Sequence, residues 1–218
     1  MNNKTAIIVG ATGLTGGIVL ELLLQDATFE KVKVFGRSAT NISHPKLVEY
    51  LGDMFQMETF SEDFKADVVF CCIGTTKAKT PDKETYKKID YGIPVEAAKL
   101  AKANGTSAFL VVSALGANPK SSTFYNKVKG EMEQDVRSVG IKNTYFFQPS
   151  LIGGDRNEKR LGERIAQVAF NIFGFLVPKE YKMIEPKTIA KAMILVSKKG
   201  FSEMIIPSHK IKNIVDCD

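Results

Sequence analysis

Short runs of β-branched and aromatic residues alternate along the chain with longer stretches in which apolar residues recur three and four positions apart. Residues 6–9, 32–35, 47–51, 67–73, 108–113 and 144–148 have the character of strands. Residues 16–25, 85–104 and 124–139 carry the helix period instead. The run 67–73 is apolar almost throughout, as a central strand covered on both faces requires. Strands alternating with helices predict right-handed crossovers and an α/β fold, a doubly wound parallel sheet with helices on both faces. Beyond 150 the pattern changes: 155–163 is charged and contains glycine, 164–176 reads as helical, 187–199 as a strong amphipathic helix, and 204–206 as a last strand. With no repeat, low-complexity block or linker, the economical reading is one domain with a small substrate-side insertion near 155–185.

Composition narrows the function. In 218 residues, 44% hydrophobic and 25% charged, the net charge of +6 is spread among both signs and forms no cationic stripe. That argues against nucleic acid as a partner and suits a small anionic ligand. Cys71, Cys72 and Cys217 are an odd set without metal-ligand spacing, which points to a reducing compartment. Neither the apolar run after Met1 nor the stretch 168–177 approaches the roughly 20 residues of a membrane span. These features predict a cytoplasmic protein. His44 and His209 stand apart from each other and from other ligands, so both read as surface or loop residues and no metal is expected.

The first strand runs into Gly10-Ala11-Thr12-Gly13-Leu14-Thr15-Gly16-Gly17 just where a helix begins. Glycines at this strand-to-helix turn let backbone approach a pyrophosphate, and the helix N-terminus offers free N–H groups. A turn of purely structural role is the plain alternative. A nucleoside triphosphate loop is disfavoured, because no Gly-Lys-Ser/Thr follows. About 20 residues on, where a carboxylate would select a ribose 2′-hydroxyl, the chain carries Arg37 and Ser38. A guanidinium and a hydroxyl suit a 2′-phosphate, so NADP(H) is expected over NAD(H), unless Arg37 is merely a solvated surface residue.

Tyr125 and Lys129 lie four apart in a predicted helix, and Ser113 ends a strand twelve residues before the tyrosine. A phenol titrates near 10 in water, and a lysine one turn away would lower that value enough for proton transfer at neutral pH. Ser113 would hold the substrate oxygen. Tyr and Lys at this spacing also arise by chance; the serine and the upstream glycine turn are what strengthen the pair.

With these motifs the sequence resembles the short-chain dehydrogenase/reductase superfamily. The stretches Cys71-Cys-Ile-Gly-Thr-Thr76, Val112-Ser-Ala-Leu-Gly-Ala117, Tyr125-Asn-Lys-Val-Lys-Gly-Glu131 and Gln148-Pro-Ser-Leu-Ile152 are similar to its Tat-interacting-protein-like atypical branch. The resemblance implies a Rossmann sheet ordered 3-2-1-4-5-6-7 and catalytic roles for Ser113, Tyr125 and Lys129. It implies an NADP(H) site formed by Gly10, Thr12, Gly13, Leu14, Thr15, Gly16, Arg37 and Ser38. To these it adds Asp53 and Met54 at the adenine, Cys72, Ile73, Gly74 and Thr75 along the cofactor, Tyr125 and Lys129, and Pro149, Ser150, Leu151 and Ile152 beside the nicotinamide. The family's usual Arg-Pro-Gly reads Gln148-Pro149-Ser150 here. The implied activity is hydride transfer to or from a small carbonyl or alcohol substrate. A cofactor-sensing regulator that binds protein partners is the alternative, with an epimerase a third, and a homodimer stays open.

Other residues carry less. Cys71 and Cys72 read as buried structural residues before reactive thiols. Lys77, Lys79, Lys83, Lys87 and Lys88 read as a solvated helix start with a phosphate contact as the alternative. Phe170, Phe173, Phe175 and Leu176 suit either a pocket wall or plain core.

Overall fold

Alternation of buried side chains builds two cores on one sheet. In the computed structural model, which describes residues 3–153 and 183–217, Ala6 and Ile8 of β1 (Lys4–Val9) face one layer while Ile7 and Val9 face the other. Successive strand residues point to opposite faces, so a strand buried on both sides must be apolar at every position. β2 (Phe29–Gly36), β3 (Leu47–Leu51), β4 (Val68–Cys71), β5 (Ala108–Val112), β6 (Asn143–Gln148) and β7 (Ile205–Pro207) complete a parallel sheet in the order β3-β2-β1-β4-β5-β6-β7. This is the expected order, 3-2-1-4-5-6-7, with β7 included.

Helix α1 (Leu14–Gln25) packs with α5 (Pro186–Lys199) over the first face, and α6 (Ser208–Asp216) joins them. Helices α3 (Ile93–Ala103) and α4 (Phe124–Val139) cover the second face, together with the one-turn 3₁₀ helix Met57–Phe60. Near β2 the second core is aromatic: Phe35 stacks on Tyr50 at 4.7 Å and meets Phe60 edge-on at 5.3 Å. Such offset and edge contacts add to the burial of the rings themselves.

The single helix expected over 85–104 is instead three pieces: α2 (Lys83–Lys87), a π-helical turn (Lys88–Gly92) and α3. The reason is local. Pro94 has no N–H to return to the Asp90 carbonyl, and the preceding N–H of Ile93 bonds Lys88 O, five residues back. His209, expected in a loop or on the surface, lies in α6 with a buried Nδ1; the last strand ends at Pro207, and a helix begins at once. Ile152 forms an isolated bridge with Ile184. The predicted helix 164–176, Phe170, Phe173, Phe175, Leu176 and nearly all of the expected insertion lie outside the described residues.

Candidate active site

The site forms at the carboxyl ends of β1, β4, β5 and β6. Gly10 follows β1 with φ +91°, and a Cβ there would sit 2.8 Å from Ile73 N, so the turn and the segment after β4 touch backbone to backbone. A Cβ on Gly16 would overlap the Gly10 carbonyl oxygen. Gly13 caps α1 without a side-chain acceptor for the first-turn N–H groups. Thr12 and Gly13 are exposed, Leu14 is half-buried, and Thr15 and Gly16 are buried. This leaves the outer backbone of the turn open to a pyrophosphate and its inner side closed against the sheet. Arg37 and Ser38 are exposed just past β2. Asp53 is exposed and accepts a hydrogen bond from Phe55 N at 2.9 Å, whereas the Met54 side chain belongs to the core.

The segment after β4 holds Cys72, Ile73, Gly74 and Thr75, and it is tied down by a residue not anticipated from the sequence. Asp90, on the π-helical turn and 1% exposed, accepts from Thr75 N at 2.7 Å through Oδ2. Its Oδ1 meets Lys129 Nζ at 3.0 Å. Both side chains of this ion pair are buried, and Gly74 passes directly over it. Lys129 Nζ also donates to the Val112 carbonyl at 3.4 Å. Burial alone would push the lysine pKa down; Asp90, with Tyr125, reverses this and holds it above its ordinary value.

Tyr125 stands one turn before Lys129 on α4. It is 44% exposed as a residue, yet its hydroxyl lies deep enough for burial to dominate and raise the phenol pKa. Lys129 pulls that value down and Asp90 pushes it up. Lys129 acts in the expected direction, but burial, joined by Asp90, outweighs it, so the expectation of a more acidic phenol is corrected. A phenol that stays protonated is a proton donor. Ser113 follows β5, with its N–H bonded to Phe147 O at 2.7 Å, and the residue is 3% exposed.

Beneath Ser113 lies a second unanticipated group. Glu133, one further turn along α4 and 6% exposed, receives Gln148 Nε2 on both carboxylate oxygens, at 2.9 and 3.1 Å. Burial raises its pKa, against an influence of the Ser113 hydroxyl and of Gln148. Ser113 Oγ nevertheless makes no formed hydrogen bond, so the two groups lie near enough to act electrostatically without satisfying the hydroxyl. Pro149 is buried, Ser150 shares a hydrogen bond of 2.9 Å with Ser208, Ile152 is half-buried and Leu151 is 61% exposed.

The structure thus brings Ser113, Tyr125, Lys129, the glycine turn and residues 72–75 to one edge of the sheet. Cys71 points into the core, and burial pushes its thiol up to about 12; burial raises Cys72 as well, which suits a structural role. The lysine run disperses, with Lys83 over the Phe124 ring and Lys87 paired with Glu131 at 2.8 Å.

Residues 10–169 match the family described as NAD(P)H-binding. The chain belongs to that family. The same residues that form its turn, Gly10 to Gly16, open the matched region. The chain is 33% identical over 205 residues to the protein FMP52, mitochondrial, of Candida albicans, covering 91% of this chain and 90% of that protein. It is 33% identical over 174 residues to the rat protein HTATIP2, covering 77% and 72%. The resemblance to the atypical short-chain dehydrogenase/reductase branch therefore stands. In fold it is similar to the Bordetella bronchiseptica enzyme WbmH in complex with NAD⁺, with a TM-score of 0.68 and 18% identity over 90% of this chain and 73% of that one. It is likewise similar to a UDP-N-acetylglucosamine 4-epimerase of Methanobrevibacter ruminantium, with a TM-score of 0.71 and 18% identity over 94% and 76%.

The cytoplasmic expectation is overturned, since the similar FMP52 proteins are named mitochondrial. Sparse cysteines and short apolar runs report redox state and membrane spanning; they do not separate the cytoplasm from a mitochondrion. Among the described residues no helix is long and apolar enough to cross a membrane.

Proposed function

We propose that the chain is an NADP(H)-dependent oxidoreductase acting on a small carbonyl or alcohol. The observation that carries this reading is the buried Asp90–Lys129 pair, which fixes a charged lysine between the segment after β4 and Tyr125, beside Ser113. A structural ion pair has no need of a half-exposed tyrosine on one side and a buried serine hydroxyl without a hydrogen bond on the other. The glycine turn, closed by Gly10 and Gly16 and uncapped at Gly13, fits a dinucleotide's pyrophosphate. Arg37 and Ser38 would hold the 2′-phosphate, Lys129 the nicotinamide-side ribose, and residues 72–75 and 149–152 the flanks.

When bound, the nicotinamide supplies or accepts the hydride. The chain's own part is alignment and proton transfer. Tyr125 passes its proton to the developing alkoxide or takes one from the alcohol, Ser113 bonds the same oxygen, and Lys129 stabilises the charge that Tyr125 gains.

Calorimetric titration with NADPH and NADH, in the wild type and Arg37→Asp, tests the cofactor half. NADPH binds more tightly than NADH, and the variant loses about ten- to a hundredfold in NADPH affinity, as expected for a charged hydrogen bond removed. Failure of both nucleotides to bind overturns the reading. For the chemistry, Tyr125→Phe retains NADPH binding and abolishes carbonyl-dependent NADPH consumption. A wild type that binds NADPH and reduces no carbonyl is a cofactor sensor instead.

A further inference from the structure

Tyr125, Lys129 and Glu133 form a single stripe on α4, each four residues from the next. The first two belong to the proposed chemistry; the third is almost fully buried, one turn beyond Lys129. The pairing of Val112 with Phe147 sets Ser113 level with Gln148 across adjacent strand ends. Gln148 then reaches Glu133 with one amide nitrogen shared between both oxygens. Ser113, Gln148 and Glu133 are all buried, and among them the serine hydroxyl is left without a formed hydrogen bond.

Resting on the oxidoreductase reading, we infer that Glu133 is a positioning residue which, by holding or releasing one proton, sets whether Ser113 meets the substrate as donor or acceptor. A serine hydroxyl has a single hydrogen. When Glu133 is a carboxylate it takes that hydrogen, and Ser113 offers the cleft lone pairs, which suit an alcohol O–H. When Glu133 is protonated, its O–H donates to Oγ, and the serine hydrogen is released toward a carbonyl oxygen. Gln148 makes this exchange feasible because it is neutral. An amide can hold the carboxyl in place in both states, whereas a cation would pin it as the anion.

The surrounding charges leave the exchange to this carboxyl. Lys129, though paired with Asp90 of the π-helical turn, still draws the Glu133 carboxyl pKa down. Arg137, one turn beyond Glu133 on α4, draws its carboxyl pKa down from a position over the Phe146 ring. β5 and β6 bring the neutral Ser113 and Gln148. Burial outweighs these and holds the Glu133 pKa above the usual carboxylate value.

The test has two arms. In the first, the full chain carries ¹³C-labelled glutamate carboxyls, with Glu133 assigned by its loss in Glu133→Gln, and is titrated by NMR without substrate. The Glu133 midpoint is raised in the wild type, rises further in Ser113→Ala, and falls by roughly one to three pH units in Gln148→Arg. A midpoint unmoved by Ser113→Ala overturns the inference. In the second arm, NADPH consumption with benzaldehyde is followed against pH. The rate declines as pH rises through the Glu133 midpoint, Gln148→Arg moves the decline to lower pH, and Glu133→Gln removes it. A decline that persists in Glu133→Gln also overturns the inference. A chain that binds NADPH and reduces no carbonyl defeats the oxidoreductase reading, and the NMR arm still decides the coupling of Glu133 to Ser113.

Discussion

Asp90→Asn replaces one charge of the site at nearly constant shape, and its consequences follow from the burial of both partners. The wild-type pair is 3.0 Å long with 4% and 1% of the two side chains exposed. Removing one member of a buried pair typically costs about 3–5 kcal/mol, because the remaining ion has lost its counter-charge. Against a total stability of about 5–15 kcal/mol for a folded domain, that is a large fraction. Urea denaturation at neutral pH measures it directly.

The pH dependence supplies the sharper test. In the wild type the Lys129 pKa is raised above its unfolded value. Its stabilising contribution is therefore fully present below the unfolded pKa and is lost as pH rises through the folded one. In Asp90→Asn burial loses its main opponent and the folded pKa drops below the unfolded one, so the unfolded chain binds more protons than the folded one. Stability of the variant should then rise with pH between neutrality and the unfolded lysine pKa, by at most about 1.4 kcal/mol per pH unit relative to wild type. The deficit shrinks as the solution becomes alkaline. Adding Lys129→Met restores most of the loss, since an apolar pair in place of a buried ion pair is close to neutral. A loss under about 1 kcal/mol, or parallel pH slopes in both proteins, would refute the account of this pair.

Three further outcomes follow. Gly130→Ala introduces a Cβ that overlaps the backbone of Asn118 and Pro119; it should cost about 1–3 kcal/mol or more by overpacking, seen as a lowered Tm, while Gly92→Ala, where a Cβ meets open space, leaves Tm within a degree or two of wild type. Tyr125 ionises above the ordinary phenol value, so a wild-type minus Tyr125→Phe difference spectrum should show no phenolate band until the pH exceeds about 10; a band at neutral pH would contradict the dominance of burial over Lys129. Thiol labelling of the native chain should modify the exposed Cys217 rapidly and spare Cys71 and Cys72, whereas the unfolded chain reacts at all three cysteines.

The sheet could be read from the sequence because its central strands are buried on both faces and carry unbroken apolar runs at 6–9, 68–71 and 108–112. Helix α4 was legible for the opposite reason, its clean division into apolar and polar sides, and its expected limits of 124 and 139 match the observed ones. The break at Lys88–Gly92 was not legible, since one extra residue in a turn hardly disturbs a periodicity spread over twenty. The site shows the same divide. Ser113, Tyr125 and Lys129 stood out by order and spacing, but Asp90 and Glu133 did not, although Asp90 continues the apolar stripe of Ile93, Ala97 and Ala101, and Glu133 lies beside the apolar row Val128, Met132 and Val136. A charge on such a stripe signals a buried partner. Which partner it finds depends on strands and helices that meet only in three dimensions, and for that reason the acidity expected of Tyr125 came out with the wrong sign.

The contact of Gly10 with the backbone of Ile73 also bears on the order in which the chain acquires its parts during synthesis. β1 leaves the ribosome before both of its neighbours, β2 on one side and β4 on the other. The glycine turn, residues 10–16, thus cannot be completed until residue 73 has emerged. Until then β1 has one open edge, apolar on both faces, which is the kind of nascent segment that chaperones shelter. Truncated chains ending before β4 should be insoluble, and those ending after β6 should be the first to give a protease-resistant core.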